Sequence, residues 1–207
     1  MSSKVDFKKT IDAYRARRGR FDIVDVPELN YLMIDGHGDP NTAPEFTTAI
    51  EALYPIAYTL KFASRSTQGR DYTVMPLEGL WWADDHESFT TSRDKSEWDW
   101  TLMIMQPDWI THEMFADAVA TASAKKADAR VHDVRFGSFA EGRSVQTLHI
   151  GAFDEEAPVL AEMHDEFIPR HGLALAGKHH EVYFSDPRRG APERRRTLLR
   201  QPVEAIS

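Results

Sequence analysis

The sequence predicts an α+β fold of two tandem βαββ repeats with pseudo-twofold symmetry and a central ligand cleft, because three landmarks recur in one order. Ile34-Asp35-Gly36-His37-Gly38-Asp39 returns as His149-Ile150-Gly151-Ala152-Phe153-Asp154, with Gly and Asp matched at one common displacement. Pro76-Leu77-Glu78-Gly79-Leu80-Trp81 lines up with His179-His180-Glu181-Val182-Tyr183-Phe184, at a shorter displacement because the first half has the longer Ser/Gly loop. Thr101-Leu102 with Gln106-Pro107 is echoed by Thr197-Leu198 with Gln201-Pro202. Repeat one is placed at about residues 21–125 and repeat two at about 129–207, after a helical extension over 1–20.

The extension has Phe7, Ile11 and Tyr14 at helical spacing, one narrow stripe that can dock on a larger body, and Gly19 ends it. Phe21–Val26 and Tyr31–Ile34 read as strands around Pro27, and Gly36-His37-Gly38-Asp39-Pro40 is a turn. Ala43–Ala63 has helical spacing through Phe46, Ile50, Leu53, Ala57 and Leu60, with Pro55 expected to kink or split it. Tyr72–Trp82 and Trp98–Met105 read as strands, and Pro107 stops the second. Thr111–Lys125 reads as a helix with Thr111 as N-cap.

Composition narrows the functional classes. The 207 residues include no cysteine, which excludes disulfides, Cys-ligated zinc, iron–sulfur clusters and thiol catalysis. The net charge of −8 repels phosphate backbones, so nucleic acid is not the expected partner. No window has the roughly 18 apolar residues of a membrane helix and the N-terminus lacks the apolar core of a leader, so a soluble cytoplasmic protein without a membrane partner is expected. Aromatic residues are abundant, with 5 Trp, 6 Tyr and 11 Phe, more Trp than space-filling alone requires.

A repeat with one helix for three strands covers one face of its sheet and leaves the other open. Two such repeats leave a cleft along their open faces, the usual place for a small-molecule site. Glu78 and Glu181 fall at matching positions of matching strands. Alternation puts Glu181, Tyr183 and Ser185 on one face, expected to be the cleft face, and Val182 and Phe184 on the other. It likewise groups Glu78, Leu80 and Trp82 and turns Trp81 toward the helix, unless Gly79 marks a bulge. A carboxylate among aromatic rings either pairs with a flat lipophilic cation or serves as a general acid or base. An exposed strand edge or an ordinary internal ion pair is the plainer alternative for each glutamate.

The runs Tyr31–Thr42 (YLMIDGHGDPNT), Glu51–Phe62 (EALYPIAYTLKF), Leu77–Trp82 (LEGLWW), Trp100–Pro107 (WTLMIMQP), Leu148–Glu156 (LHIGAFDEE) and Gly177–Arg189 (GKHHEVYFSDPRR) resemble the stand-alone branch of the GyrI-like small-molecule-binding family. The resemblance spans roughly residues 20–205 and implies an SHS2-like fold of two βαββ repeats around a ligand cleft. It implies binding of bulky aromatic, lipophilic, often cationic compounds, with a multidrug-sequestration or detoxification role, and Glu181 matches the second-repeat glutamate. The expected ligand-binding set is Glu78, Leu80, Trp82, Trp100, His180, Glu181 and Tyr183. The alternative is a hydrolase that opens the cyclopropane ring of DNA-alkylating compounds, with Glu181 activating water and Tyr183 or a Trp orienting the substrate. A third reading is a protein that acts on partner proteins. No cofactor and no metal are expected, and the chain is read as a monomer or homodimer. No helix-turn-helix candidate accompanies the domain.

Other signals are weaker. His179-His180-Glu181 has metal-ligand residue types, but strand neighbours point to opposite faces and the run is not HExxH. Gly36-x-Gly38 lacks the context of a phosphate loop, and His37 reads as a turn residue. Arg188, Arg189, Arg194, Arg195 and Arg196 read as a solvated hairpin rim, with an anchor for an anionic group as the alternative. Trp98 and Trp100 share a strand face and suit either core or cleft wall, and Met103, Met105 and Met114 read as core. Ser185-Asp186-Pro187 comes without a nucleophile elbow.

Overall fold

The computed structural model describes residues 4–83, 95–125, 130–185 and 191–206. A short helix α1 (Phe7–Thr10) and a 3₁₀ turn Asp12–Tyr14 open the chain. Then come β1 (Asp22–Val26), β2 (Leu29–His37), α2 (Pro44–Gln68), β3 (Leu77–Trp82), β4 (Asp99–Gln106) and α3 (His112–Lys125). The second half contains β5 (Arg135–Phe139), β6 (Gly142–Ile150), α4 (Ala157–Ala161), a π-helical turn Glu162–Phe167, α5 (Ile168–Arg170), β7 (Leu173–Leu175), β8 (His179–Tyr183) and β9 (Arg196–Ala205). In each half a strand, a helical segment and further strands follow in that order, an α+β arrangement. No helix of the described residues is long and apolar enough to cross a membrane.

The chain divides into two compact units. In the first, made chiefly of Leu29–Met75 and Gly79–Phe139, β2 lies between β4 and β5, antiparallel to both, and β4 has β3 on its other side. In the second, made of Lys8–Glu28, Pro76–Glu78 and Ala140–Ser207, the strand order is β1-β6-β9-β8, again antiparallel, and the short β7 pairs with the end of β9.

Two boundaries differ from the expected ones. β1 sits beside β2 in sequence but pairs with β6, and β5 sits beside β6 in sequence but pairs with β2. The compact units divide between Phe139 and Ala140, and residues 126–129, in the expected repeat boundary, lie outside the described residues. Pro27, with no N–H to continue a ladder, lets the chain leave the β1–β6 ladder before β2 begins. Residues 8–20 belong to the second unit, where Ala13 and Tyr14 are buried.

The first unit's core forms where α2 lies on its sheet. Ala49, Ile50, Leu53, Ile56, Ala57 and Leu60 are buried at the predicted helical spacing. α2 passes through Pro55 without a break, since burial on both sides outweighs the roughly 3 kcal/mol that an internal proline costs. It ends at Gly69, whose φ of 67° is the left-handed C-cap conformation that only glycine adopts readily. Met114 N donates to Thr111 Oγ1 at 3.2 Å, the expected cap of α3.

Gly36 shows why its side chain is absent. It pairs directly with Trp100 across β2 and β4, and a Cβ at Gly36 would lie 2.0 Å from the Trp100 ring. Gly36→Ala is therefore expected to cost about 3 kcal/mol, read as a lowered urea midpoint. Gly137→Ala, where the added carbon meets only Met33 at 3.5 Å, is the control and should change little. Equal effects of the two would remove the steric explanation.

Candidate functional site

The second unit carries a row of polar side chains on one face of its sheet. Cross-strand partners in an antiparallel sheet point to the same side, so the pairs His180–Arg200 and Gln146–Arg200 put these three residues on one face. Glu78 joins them from β3, with its side chain fully buried, as is that of His180. The segment around the 3₁₀ turn at Asp12–Tyr14 lies over this group and supplies Tyr14 and two backbone carbonyls.

The bonds form one chain. Tyr14 Oη donates to Glu78 Oε1 at 2.6 Å, and His180 Nε2 donates to Glu78 Oε2 at 3.0 Å. His180 Nδ1 donates to Glu141 Oε1 at 2.9 Å, and Arg200 Nη1 donates to Glu141 Oε2 at 2.7 Å. Arg200 Nε donates to Gln146 Oε1 at 3.0 Å, Gln146 Nε2 to the Arg15 carbonyl at 2.9 Å, and Arg200 Nη2 to the Ala13 carbonyl. Two basic and two acidic side chains are thus taken out of water together. Such an arrangement is tolerable only when each charge has partners at hydrogen-bond distance.

Burial alone would push the His180 imidazolium toward its neutral form. The charge and hydrogen bond of Glu141 and the hydrogen bond of Glu78 outweigh it, although Arg200 opposes them, and hold His180 up at about 9. Burial also acts to raise the Glu141 carboxyl, but the charges and hydrogen bonds of His180 and Arg200 hold it down at about 2. His180 therefore carries both ring protons, which its two carboxylate partners require.

These shifts fix a pH dependence of stability. The His180 value is raised from 6.5, so its contribution is complete below pH 6.5 and is lost as pH climbs toward 9. The Glu141 value is lowered from 4.5, so its contribution is complete above pH 4.5 and is lost as pH falls toward 2. Exposed His37, raised mainly by its hydrogen bond to Asp99, adds to the alkaline decline with the same sign. Urea midpoints measured across this range should show a plateau near pH 4.5–6.5 with a fall on either side. A midpoint that rises between pH 6.5 and 9 would contradict the imidazolium assignment.

The expected site residues do not all share this face. Glu181 pairs with Leu199, which packs with Val145, Met163 and Ile168 under the helical segment. His179 Nε2 is 3.4 Å from Glu181 Oε1, the His179 ring faces His164 of the π turn at 6.3 Å, and Tyr183 meets Phe153 at 5.8 Å. Glu181 and Tyr183 therefore face the helix, contrary to the cleft-facing expectation, and His180 rather than Glu181 accompanies Glu78. The sequence match of Glu78 with Glu181 was one residue out of phase, and a one-residue slip moves every side chain of a strand to the other face. His179 and His180 do point to opposite faces.

Leu80, Trp82 and Trp100 belong to the first unit. Trp81 stacks on Phe46 of α2 at 6.0 Å, so Leu80 and Trp82 occupy the other face of β3, as alternation predicts, with Leu80 buried and Trp82 half-buried. Trp100 is wholly buried, edge-on to Phe46 at 5.3 Å with Nε1 donating to the Gly38 carbonyl, and is a core residue rather than a cleft wall. Of the arginine stretch, Arg188 and Arg189 lie outside the described residues, as does Asp186. Arg195 sits over the Phe153 ring and Arg196 over the Phe184 ring, so these two side chains are packed on aromatics.

Four members of the row went unpredicted: Tyr14, Glu141, Gln146 and Arg200. Arg200 carried a signal, a single base inside the apolar run Leu198-Leu199-Arg200-Gln201-Pro202-Val203. Tyr14 lies in the apolar stripe of the extension, where its spacing gives no sign of the partner its hydroxyl meets.

Comparison with known proteins adds the family context. The profile described as GyrI-like small molecule binding domain matches residues 20–204. An uncharacterized conserved protein from Listeria innocua is 40% identical, with 97% of this chain and 100% of that one covered and a TM-score of 0.88. A hydrolase from Listeria innocua is 38% identical over 97% of this chain and 100% of that one, with a TM-score of 0.84. A further Listeria innocua hydrolase is 39% identical over 98% and 100%, with a TM-score of 0.86. No curated protein sequence matches.

Proposed function

The chain belongs to the GyrI-like small-molecule-binding family, and we propose that it takes bulky aromatic, lipophilic, often cationic compounds and hydrolyses a strained electrophile among them, with Glu78 as the acid–base carboxylate. The observation that carries this reading is the Tyr14–Glu78–His180–Glu141 chain. A carboxylate with a phenol on one oxygen and an imidazolium on the other has its orientation set before any ligand arrives. The two Listeria innocua hydrolases, similar over nearly the whole chain, add support.

The chemistry is addition of water to a cyclopropane conjugated with a carbonyl. Water takes the place of the Tyr14 hydroxyl at Glu78 Oε1, and Glu78 removes its proton as the oxygen bonds to a ring carbon. The ring C–C bond breaks, its electron pair moves into the conjugated carbonyl, and the oxygen that gains charge is protonated by the displaced Tyr14 phenol. Glu78 then returns the proton to the phenolate, so the product is the substrate plus one water. His180, already doubly protonated, holds Glu78 in place throughout and does not itself need to transfer a proton. Because Tyr14 covers Glu78, the segment that carries Tyr14 moves when the ligand enters.

Binding without turnover is the second reading, favoured by the complete burial of Glu78. The test is incubation with a cyclopropane-bearing alkylator and, separately, an inert planar cationic dye, with products followed by mass spectrometry. The proposal expects a product heavier by one water from the first and saturable binding of the second. Binding of both without product leaves sequestration, and no binding of either rejects the whole reading.

A further inference from the structure

α2 buries one face and presents a second, aromatic one to solvent. Glu51, Tyr54, Tyr58, Phe62 and Arg65 follow at steps of three and four residues, a single stripe on an α-helix. Tyr58 is 48% exposed and Phe62 56%, unusual for large apolar side chains at the centre of a long helix. The rings already stack on one another, Tyr54 on Tyr58 at 6.3 Å and Tyr58 on Phe62 at 6.4 Å, with interplanar angles of 30° and 28°. Lys61 Nζ lies 4.9 Å from the centre of the Phe62 ring. A ladder ordered in this way gives up little rotamer freedom on association.

From this stripe we infer that two copies of the chain associate through α2, antiparallel, about a twofold axis at Tyr58. The stripe is self-complementary about that residue. Tyr54 precedes it by as many positions as Phe62 follows it, and the same holds for Glu51 and Arg65. A twofold axis therefore sets Tyr58 on Tyr58 of the second copy, Tyr54 on Phe62 and Glu51 on Arg65, with the last two contacts made twice. The acid lies at one end and the base at the other. Had both ends carried one sign, the same packing would set like charges together. Glu51, Tyr58 and Arg65 recur at seven-residue intervals, as along a coiled-coil seam, where helices cross at about 20° with axes roughly 8–10 Å apart. One helix pair is a small interface, so a dissociation constant of roughly 10–100 μM is expected.

Sedimentation equilibrium of the full chain across the micromolar range tests this. Wild type should show a reversible monomer–dimer equilibrium, and Tyr58→Glu should be monomeric. Glu51→Arg and Arg65→Glu should each weaken the dimer by roughly tenfold or more, because each places like charges together twice. An equimolar mixture of these two variants should recover association, since each variant then faces its complement, and so should the double variant Glu51→Arg/Arg65→Glu. All the changes are at the surface, and recovery in the mixture rules out misfolding as the cause of the single losses. The inference is overturned by a monomeric wild type at every concentration, by a dimer indifferent to Tyr58→Glu and to charge reversal, or by a mixture no tighter than the single variants.

Discussion

Glu78→Gln should lower turnover of a cyclopropane electrophile by about 10²–10⁴, the usual worth of a positioned general base. Glutamine keeps the shape and still accepts one hydrogen bond, but it cannot remove a proton from water. Neutral aromatic ligands of equal size should bind Glu78→Gln nearly as they bind wild type. Cationic ligands should lose affinity, because the substitution removes a charge. Glu181→Gln is the decisive comparison. Its side chain lies on the helix-facing side with His179, so the variant should keep turnover within about tenfold of wild type. Single-turnover rates measured by mass spectrometry distinguish the two positions. Loss at Glu181 with full activity in Glu78→Gln would transfer the chemistry to the other face of β8.

Glu141→Ala should cost about 3–5 kcal/mol, the range for removing one partner of a buried ion pair. Glu141 accepts from both His180 and Arg200, and its loss leaves two buried cations with Glu78 as the remaining acid of the chain of bonds. For a chain of this size the melting temperature should fall by roughly 6–20 °C. Glu141→Gln keeps an acceptor without the charge and should lie between wild type and Glu141→Ala. In Glu141→Leu/Arg200→Met both members of the pair become apolar, so its loss should be smaller than the sum of the single losses. Thermal and urea unfolding give these values. A loss below about 1 kcal/mol in Glu141→Ala would mean that the carboxylate contributes little, as surface ion pairs do.

Some elements were legible because their signals are local. The buried face of α2 follows from Ile50, Leu53, Ala57 and Leu60, and the cap at Thr111 from one hydroxyl before an apolar run, whereas of the expected strand Tyr72–Trp82 only Leu77–Trp82 forms. The ends of α2 were less clear. It runs five residues past the expected Ala63 because Gly69, not the Ser/Thr run before it, supplies the left-handed stop. The phase of β8 was not legible at all. His180 and Val182 on one side and Glu181 and Tyr183 on the other each mix polar and apolar residues, so alternation gives two equally acceptable faces.

By itself, the sequence determined the α+β class and the absence of cysteine chemistry, since composition and periodicity are properties of short stretches. Only the tertiary structure decided which glutamate sits in a buried charge network and what holds it there. Tyr14 and Glu78 are 64 residues apart, His180 and Glu78 are 102, and Arg200 and Glu141 are 59. A buried charge is tolerated only if partners arrive at hydrogen-bond distance, and here they come from the N-terminal segment and from separate strands. That meeting depends on strand register and on which strand pairs with which, and a shift of one residue would have sent the same side chains to the opposite face.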